Sequence, residues 1–392
     1  MANSLTISQA VTVLNSLISQ MQGSASLTAT DVTDFVSVAE TALKTGFDPV
    51  LGAISQVLDR TIFAIRPYYA KFKAMEKTNA EYGAWTRKIN YCDRPFVQDD
   101  GFNLVDGTSL DPWLIRHPDT IQLNITGQEV VEDYFTRTED QMKLAFRGPD
   151  EFGQFWAGVL QNLSDKHEQK TEAIARANIM NAIGAIAGTG GTEQTVHLLT
   201  EYNAQTGLSL TATTVYDPAN YGDFQKWVYA RIQTVRDLMT ERSINFHLNV
   251  TNASKYIQRH TPYNRQVLYM YAPELRQMEA RVLSAAFNEG RIAYKDIELV
   301  NYWQSIETPT TVNVKYGSID ADGEYDAAAS AATVSNIFAL LVDDDAMGYT
   351  RYSDGMYATP INARGRYTNF WYHWRWMQYC DMTENMVLFT LD

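Results

Sequence analysis

A long amphipathic helix is the feature that most constrains how this chain can fold. The helix begins at Gly148-Pro149-Asp150-Glu151, with proline in its first turn and acidic side chains at the positive end of the helix dipole. Gly188 and Gly190-Gly191 end it. A helix of this length extends roughly 50 Å at about 1.5 Å per residue, which is typical of the spine of an extended subunit. Its predicted packing residues recur at helical spacing and are Phe152, Phe155, Trp156, Val159 and Leu163.

The segment before this region is predicted to be a helical arm at residues 1–60. Three apolar stripes recur there at helical spacing, and Gly23 and Gly46 are placed to end the first two helices. The first stripe comprises Ile7, Val11, Leu14, Ile18 and Met21. Because this stripe is thin, the first helix either docks onto another surface or packs on its own domain.

Turn signals and short β-like pieces mark residues 82–137. Asp99-Asp100-Gly101, Asp106-Gly107 and Asp111-Pro112 are turn sequences, and residues 120–125 are β-like. The region is too polar to form its own core, and a long hairpin without a core is costly to order alone. We predict an extended loop that lies across a neighbouring subunit; an active-site lid and a loosely ordered insertion are the alternatives. The predicted intersubunit residues are Trp85, Arg87, Lys88, Arg94, Trp113 and Arg116.

Residues 195–345 are predicted to form a separate α/β unit. Apolar residues from Phe224 to Met239 form a helix face, and Phe246, Leu248 and Val250 alternate as a strand that leads into a helix near Asn252. Further strands are predicted at residues 297–303 and 336–342. The last segment, from residue 349, is dense in β-prone aromatic residues and is predicted to return as strands that pack on the long helix.

Composition excludes several classes of protein. The formal net charge of −14 disfavours a DNA-binding regulator, which needs Lys and Arg at the phosphates, but it allows a container that encloses DNA. Cys92 and Cys380 are the only cysteines and suit a reducing cytoplasm, and no apolar run approaches the roughly 18 residues of a membrane span. The 23 Tyr, 16 Phe and 8 Trp residues fit either a protein interface or a carbohydrate-binding cleft.

No motif for catalysis, cofactor binding or metal binding is present. The six histidines are scattered, and the two cysteines form no CxxC pair. Asp343-Asp344-Asp345 lacks a calcium-loop pattern, and Gly188–Gly191 follows a helix instead of preceding one, unlike a phosphate-binding loop. We therefore predict a protein without a catalytic site, cofactor or metal.

The aromatic segment near the last predicted strands carries a family resemblance. RGRYTNFWYHW at residues 364–374 resembles the closing strands of phage major capsid proteins of the phi29-type group, which have the HK97-like fold. Residues 385–389 are similar to the short final strand of that family, and residues 57–83 are similar to the entry into its extended loop. The family-motif residues are Arg364, Gly365, Tyr367, Asn369, Tyr372 and His373.

The resemblance implies an α+β, HK97-like capsid fold with five parts. These are an N-terminal helical arm at 1–60, a peripheral domain with the spine helix at 61–81 and 138–194, an extended β-hairpin loop at 82–137, an axial domain at 195–345, and closing strands of the peripheral domain at 346–392.

The resemblance also implies a function. Such proteins self-assemble as pentamers and hexamers into the icosahedral shell that encloses phage double-stranded DNA, usually with a scaffolding protein and a portal. We therefore expect a component of the virion capsid, assembled in the cytoplasm of the host bacterium, with no membrane partner. An encapsulin-like compartment shell is the alternative with the same fold. An aromatic-rich carbohydrate-active enzyme is the alternative from another class, and it requires two carboxylates roughly 5 to 9.5 Å apart.

Overall fold

The structure is a computed structural model. It describes residues 68–77, 85–93, 96, 99–113, 115, 117–126, 129–138, 149–248, 257–280, 297–319, 325–326 and 331–392. The helical arm predicted at residues 1–60 lies outside the described residues. The chain divides into two compact units. Unit 1 takes the described parts of Met1–Glu81, Gln128–Ile174 and Thr350–Met377, and unit 2 takes those of Tyr82–Gly127, Ala175–Tyr349 and Gln378–Asp392.

The predicted long helix is confirmed as α1, Pro149–Thr189, an unbroken helix of 41 residues. Proline is favoured in the first turn because the amide that it lacks has no partner there. At the other end, the Gly190 amide donates to the Ile186 carbonyl at 2.8 Å. Leu163 is buried. The other predicted packing residues, Phe152, Phe155, Trp156 and Val159, lie on α1, but their side chains are outside the described part of the structure.

Unit 1 contains a three-stranded sheet in the order β12-β13-β3, with β3 at Glu129–Thr138, β12 at Met347–Ala358 and β13 at Tyr367–Cys380. Side chains alternate along β13, so that Phe370, Tyr372, Trp374 and Trp376 are buried. The His167 ring on α1 lies 5.1 Å from Trp374 and 5.4 Å from Trp376, measured between ring centroids. The predicted return of an aromatic strand onto the long helix is therefore confirmed.

Unit 2 is built on a five-stranded mixed sheet in the order β4-β14-β11-β5-β6. The strands are β4 at Thr195–His197, β5 at Gln266–Tyr271, β6 at Ile297–Val300, β11 at Ile337–Asp343 and β14 at Met386–Thr390. Every residue of β11 and of β14 is buried. A strand that is covered on both faces needs a continuous apolar run, which is what both sequences provide.

Three helices accompany this sheet: α2 at Leu198–Thr206, α3 at Pro218–Thr240 and α4 at Ala272–Met278. The helix predicted from the apolar face of residues 224–239 is thereby confirmed. Phe224, Val228 and Ile232 of α3 join Val387 and Phe389 of β14 in one hydrophobic cluster. The sheet and α3 therefore share the main core of unit 2.

Short strands complete unit 2: β7 at Val312–Lys315 pairs with β10 at Ala331–Val334, and β8 at Ser318–Ile319 pairs with β9 at Tyr325–Asp326. Tyr316 packs against α1 where that helix carries glycine. A Cβ atom at Gly188 would lie 1.9 Å from the Tyr316 hydroxyl oxygen. Gly188 thus serves close packing as well as lying near the end of the helix.

The strand predicted from Phe246, Leu248 and Val250 is wrong in its described part, since residues 246–248 form no strand. The Phe246 carbonyl accepts from the Met386 amide at 2.7 Å, and the Leu248 amide donates to the Met382 carbonyl at 2.9 Å. Phe246 is apolar because it is buried in the core, and the alternation of apolar residues does not mark a hydrogen-bonded strand here. Val250 and the helix predicted near Asn252 lie outside the described residues.

Two other strand predictions are confirmed with shifted ends. The strand predicted at residues 336–342 is β11, Ile337–Asp343, and the one predicted at 297–303 is the shorter β6. Beyond β6, Trp303 is buried, and its indole Nε1 donates to the Ile337 carbonyl at 3.2 Å. This side-chain contact takes the place of further strand pairing.

Candidate assembly interface

A β-hairpin projects the region in which the sequence predicts an intersubunit contact. Strands β1, Trp85–Tyr91, and β2, Thr120–Thr126, pair antiparallel over seven residues. The Cys92 amide continues the pairing by donating to the Asp119 carbonyl at 2.9 Å. The β-like segment predicted at residues 120–125 is therefore confirmed as β2, and residues 92–119 form the hairpin connection.

The hairpin connection exposes large apolar side chains to solvent. Seven of them form what we call the exposed apolar set: Phe96, Phe102, Leu104, Val105, Leu110, Trp113 and Ile115. Trp113 is 83% exposed and Phe102 is 86% exposed. Single exposed apolar residues are common on soluble proteins, whereas several in one connection make that connection a candidate surface for contact with another molecule.

Local hydrogen bonds order the described parts of this connection. An Asp99 carboxylate oxygen accepts from the Gly101 amide at 2.9 Å, and an Asp111 carboxylate oxygen accepts from the Trp113 amide at 2.9 Å. Asp side chains commonly stabilise turns in this way, by accepting from the backbone two residues ahead. The turn sequences therefore shape the connection, although its apolar side chains are exposed.

Only some of the predicted intersubunit residues have side chains in the described part of the structure. Trp113 belongs to the exposed apolar set. Trp85 and Arg87 lie on β1 with side chains outside the described part, and Arg94 and Arg116 are outside it altogether. The intersubunit role of these residues stays a prediction.

Lys88 has partners within its own chain. Its ammonium group pairs with the carboxylates of Asp381 and Glu384, which lie between β13 and β14. Neither acid was predicted to contact the hairpin. They lie 293 and 296 positions after Lys88, so no local pattern connects them to the hairpin.

The family-motif residues lie in the β12–β13 turn and along β13. Arg364 and Gly365 are exposed in the turn, where their amides each donate to an Asn362 side-chain oxygen at 3.0 Å. Asn362 also pairs with Tyr367, which begins β13. The motif therefore builds a tight reversal between two long strands.

On β13 the motif residues divide between the two faces of the unit 1 sheet. Tyr372 is buried on one face. On the other, Asn369 accepts from the Thr136 hydroxyl at 2.7 Å, and the His373 ring lies 5.7 Å from that of Tyr357. The structure does not bring these residues together as a catalytic group, and their role as a family signature stays a prediction.

The described residues contain no group of three or more His, Cys, Asp and Glu side chains arranged to hold a metal ion. Asp343, from the acidic triplet, accepts from the Thr261 hydroxyl at 2.8 Å and lies 3.2 Å from the Arg265 guanidinium. Asp343 is the last residue of β11, and Asp344 and Asp345 begin the turn that follows it. Among the described helices, none is long and apolar enough to cross a membrane.

Comparisons with known proteins agree with this architecture. The family model described as Phi29-like phage major capsid protein matches residues 12–390. A chain in the capsid structure of Staphylococcus phage Andhra is 13% identical, with a TM-score of 0.55, and the match covers 84% of this chain and 85% of that one. A chain in the structure of head fiber and inner core protein gp22 of native bacteriophage P68 is 11% identical, with a TM-score of 0.58 and coverage of 84% and 86%. No curated protein sequence matches the chain.

The structural matches show the fold, since their sequence identity is low. The mixed helix and sheet architecture predicted as an HK97-like capsid fold is confirmed, while details of the arm and loops lie beyond these matches. The encapsulin-like and carbohydrate-active alternatives are not favoured. Because the family model covers nearly all of the sequence, the chain belongs to the family of Phi29-like phage major capsid proteins, which are structural subunits of the phage head.

Proposed function

We propose that this subunit assembles as pentamers and hexamers into an icosahedral shell that encloses phage double-stranded DNA. The exposed apolar set on the hairpin connection carries the proposal. Removing apolar surface from water is favourable by about 25 cal/mol for each Å², and this gain must exceed the entropy cost of association. A lone subunit leaves that surface in water, whereas a ring of subunits covers it at every contact.

In this proposal the hairpin lies over the spine helix α1 of the next subunit around the ring. Arg87, Arg94 and Arg116 meet acidic groups of that neighbour. Each exposed ion pair contributes only about 0–1 kcal/mol, so the pairs fix orientation more than strength. The strength comes from apolar area that symmetry repeats at every contact.

The wall encloses DNA without binding it in a sequence-specific way. With a net charge of −14, the subunit has no overall attraction for phosphates. As membership of its family implies, assembly takes place with a scaffolding protein and a portal in the host bacterial cytoplasm, and the finished shell resides in the virion. The subunit acts as a building block and catalyses no reaction, in keeping with its structural family.

Replacing residues 94–117 with a two-residue Asn-Gly turn tests the proposal. The truncated and unaltered chains are each expressed alone and with the candidate scaffolding protein, then compared by sedimentation and negative-stain microscopy. Circular dichroism and thermal melting serve as the folding control. We expect folded subunits that form no closed particles; normal particles from the truncated chain would refute the proposal.

A further inference from the structure

The inner side of the β1–β2 hairpin carries charged groups that the proposed intersubunit contact does not use. Lys88 of β1 pairs with both Asp381 and Glu384. The side chains are only 24% exposed for Lys88, 1% for Asp381 and 10% for Glu384. The hairpin thus inserts a lysine between two largely buried carboxylates of its own unit.

Arg259 connects the same carboxylates to the next inward-facing residue of β1. Its guanidinium lies 3.3 Å from a Glu384 carboxylate oxygen and donates to the Asn90 side-chain oxygen at 3.0 Å. The same side chain donates to the Thr383 carbonyl at 2.9 Å. Three separate segments of unit 2 therefore meet at this cluster.

The turn that holds the two acids is itself tightly bonded. The Thr383 amide and hydroxyl both donate to Asp381 Oδ1, at 2.9 and 2.6 Å. After β1, Asp93 accepts from the Gln258 amide at 2.7 Å and pairs with Arg242. Polar contacts consequently hold the hairpin at two points, Lys88 on β1 and Asp93 just after it.

Such a cluster is a poor source of stability compared with apolar packing. Removing charges from water costs free energy that their attraction recovers only partly, and apolar replacements of similar shape are often as stable. Burial raises the pKa of Glu384 even though Lys88 and Arg259 act in the opposite direction. Desolvation therefore dominates at this carboxylate. What buried ion pairs provide well is a single geometry, since each charge accepts few arrangements of its partner.

We propose that this cluster, which we call the hairpin latch and define as Lys88, Asn90, Arg259, Asp381 and Glu384, sets the angle at which the hairpin leaves the core of unit 2. The angle matters because the exposed apolar set must meet the neighbouring subunit in one orientation for a ring to close. This inference rests on the proposed function, and it assigns to Lys88 a positioning role within its own subunit.

The variant Lys88→Met tests the latch, because it keeps most of the side-chain volume and removes the charge. Lys226→Met is the matched control, since Lys226 pairs with Asp223 in the same unit but is 54% exposed. Hydrogen exchange measured on unassembled subunits reports the order of β1 and β2 without any assembly step. We expect at least about tenfold faster exchange in both strands, the effect of losing one charge-assisted hydrogen bond, and no change in the control.

Particle shape is the second measurement on the same variants. We expect Lys88→Met to give open or irregular particles in negative stain, while Lys226→Met gives closed shells. Unchanged exchange in β1 and β2 would overturn the latch, and so would faster exchange accompanied by normal shells. Should Lys88→Met fail to fold, Glu384→Gln keeps the shape and a hydrogen-bonding group, and the same two outcomes apply to it.

Failure of the latch and failure of the proposed function give different results. If the latch is wrong, Lys88→Met assembles normally while the hairpin truncation still blocks closed particles. If the proposed function is wrong, the truncated chain itself assembles normally. The exchange measurement is independent of both assembly results.

Discussion

The central strands of unit 2 and the hairpin connection are both rich in large apolar residues, yet they expose them very differently. Every residue of β11 and β14 is buried. In the connection, Phe102 and Trp113 are each more than four-fifths exposed. Apolar residues of the first kind hold the subunit together, whereas those of the second kind are, in the proposed function, covered by a neighbouring subunit.

If the proposed function is right, the difference teaches that folding and assembly draw on separate sets of side chains in this protein. A two-stranded hairpin is marginal by itself, so β1 and β2 need support from elsewhere in the unit. Polar groups such as Lys88 and Asp93 provide that support, and the large apolar residues of the connection stay exposed to solvent. Substitutions in the two sets can test whether folding and assembly use different side chains, beginning with the largest expected change in the free energy of unfolding.

The largest change is expected for Phe389→Ala in β14. Phe389 is completely buried, so its truncation loses transfer free energy and leaves a cavity, at a cost of about 3–5 kcal/mol. Urea denaturation followed by circular dichroism measures this cost. Ile306→Ala is the control, because Ile306 is 77% exposed and its truncation should leave stability nearly unchanged. A loss below about 1 kcal/mol for Phe389→Ala would contradict its place in the core.

A smaller loss is expected for Gly188→Ala on α1. The added Cβ would overlap the Tyr316 ring and hydroxyl, and overpacking of this kind costs about 1–3 kcal/mol. Gly191→Ala is the control, because nothing lies within 4 Å of a Cβ at that position. Combining Gly188→Ala with Tyr316→Ala should cost less than the sum of the single changes, since the clash is then absent. Strict additivity would indicate that the two residues do not meet.

A pH-dependent change is expected from His247. Burial lowers the pKa of His247 below 6.5, while the unfolded chain titrates near that ordinary value. The unfolded state therefore binds more protons, and stability is lost as the pH falls below about 6.5, with a slope of at most about 1.4 kcal/mol per pH unit. Urea midpoints measured between about pH 5 and pH 8 should fall less steeply in His247→Gln than in the unaltered chain.

The exposed His260 provides the control for that experiment. His260→Gln should leave the pH slope of the unaltered chain in place. Equal slopes for His247→Gln and the unaltered chain would mean that another group causes the acid sensitivity.

The smallest change in stability is expected for Trp113→Ala, which should shift the free energy of unfolding by no more than about 0.5 kcal/mol. Assembly should nevertheless decrease, because a large apolar contact with the neighbour is lost. Sedimentation of the assembled fraction and thermal melting of the subunit measure the two effects side by side. Ile306→Ala, which is exposed outside the hairpin, should assemble normally. A clear loss of stability in Trp113→Ala would show that Trp113 contributes to folding as well as to assembly, against the proposed separation.

Local sequence signals predict α1 and α3 well, but they miss α2 and α4 and reveal little of the strand pairings. Pro149 and the glycines from Gly188 locate both ends of α1, because these residues act on the backbone within one turn. No such signal reveals that β14 lies between β4 and β11, or that Phe246 joins the core without forming a strand. These arrangements depend on contacts between residues far apart in sequence, whereas a local sequence pattern covers only a few neighbouring residues.

The hairpin was foreseeable from the sequence, whereas the exposure of its large apolar side chains was not. Turn sequences predict the hairpin, but its polar composition conceals the exposed apolar set between the turns. The partners of Lys88 were not foreseeable, since Asp381 and Glu384 follow at a distance of nearly 300 residues. The division of the chain into five segments also stays a prediction, because the two compact units follow different boundaries.

The position of β14 in the middle of its sheet has a consequence for synthesis on the ribosome. β14 pairs with both β4 and β11, yet it is translated after every other strand. The hairpin emerges first and waits on the order of tens of seconds for residues 381–390, at about 5–20 residues per second. Until the last strand has been inserted, a nascent chain therefore has an unfinished sheet, and its hairpin lacks the contacts of Lys88 with Asp381 and Glu384.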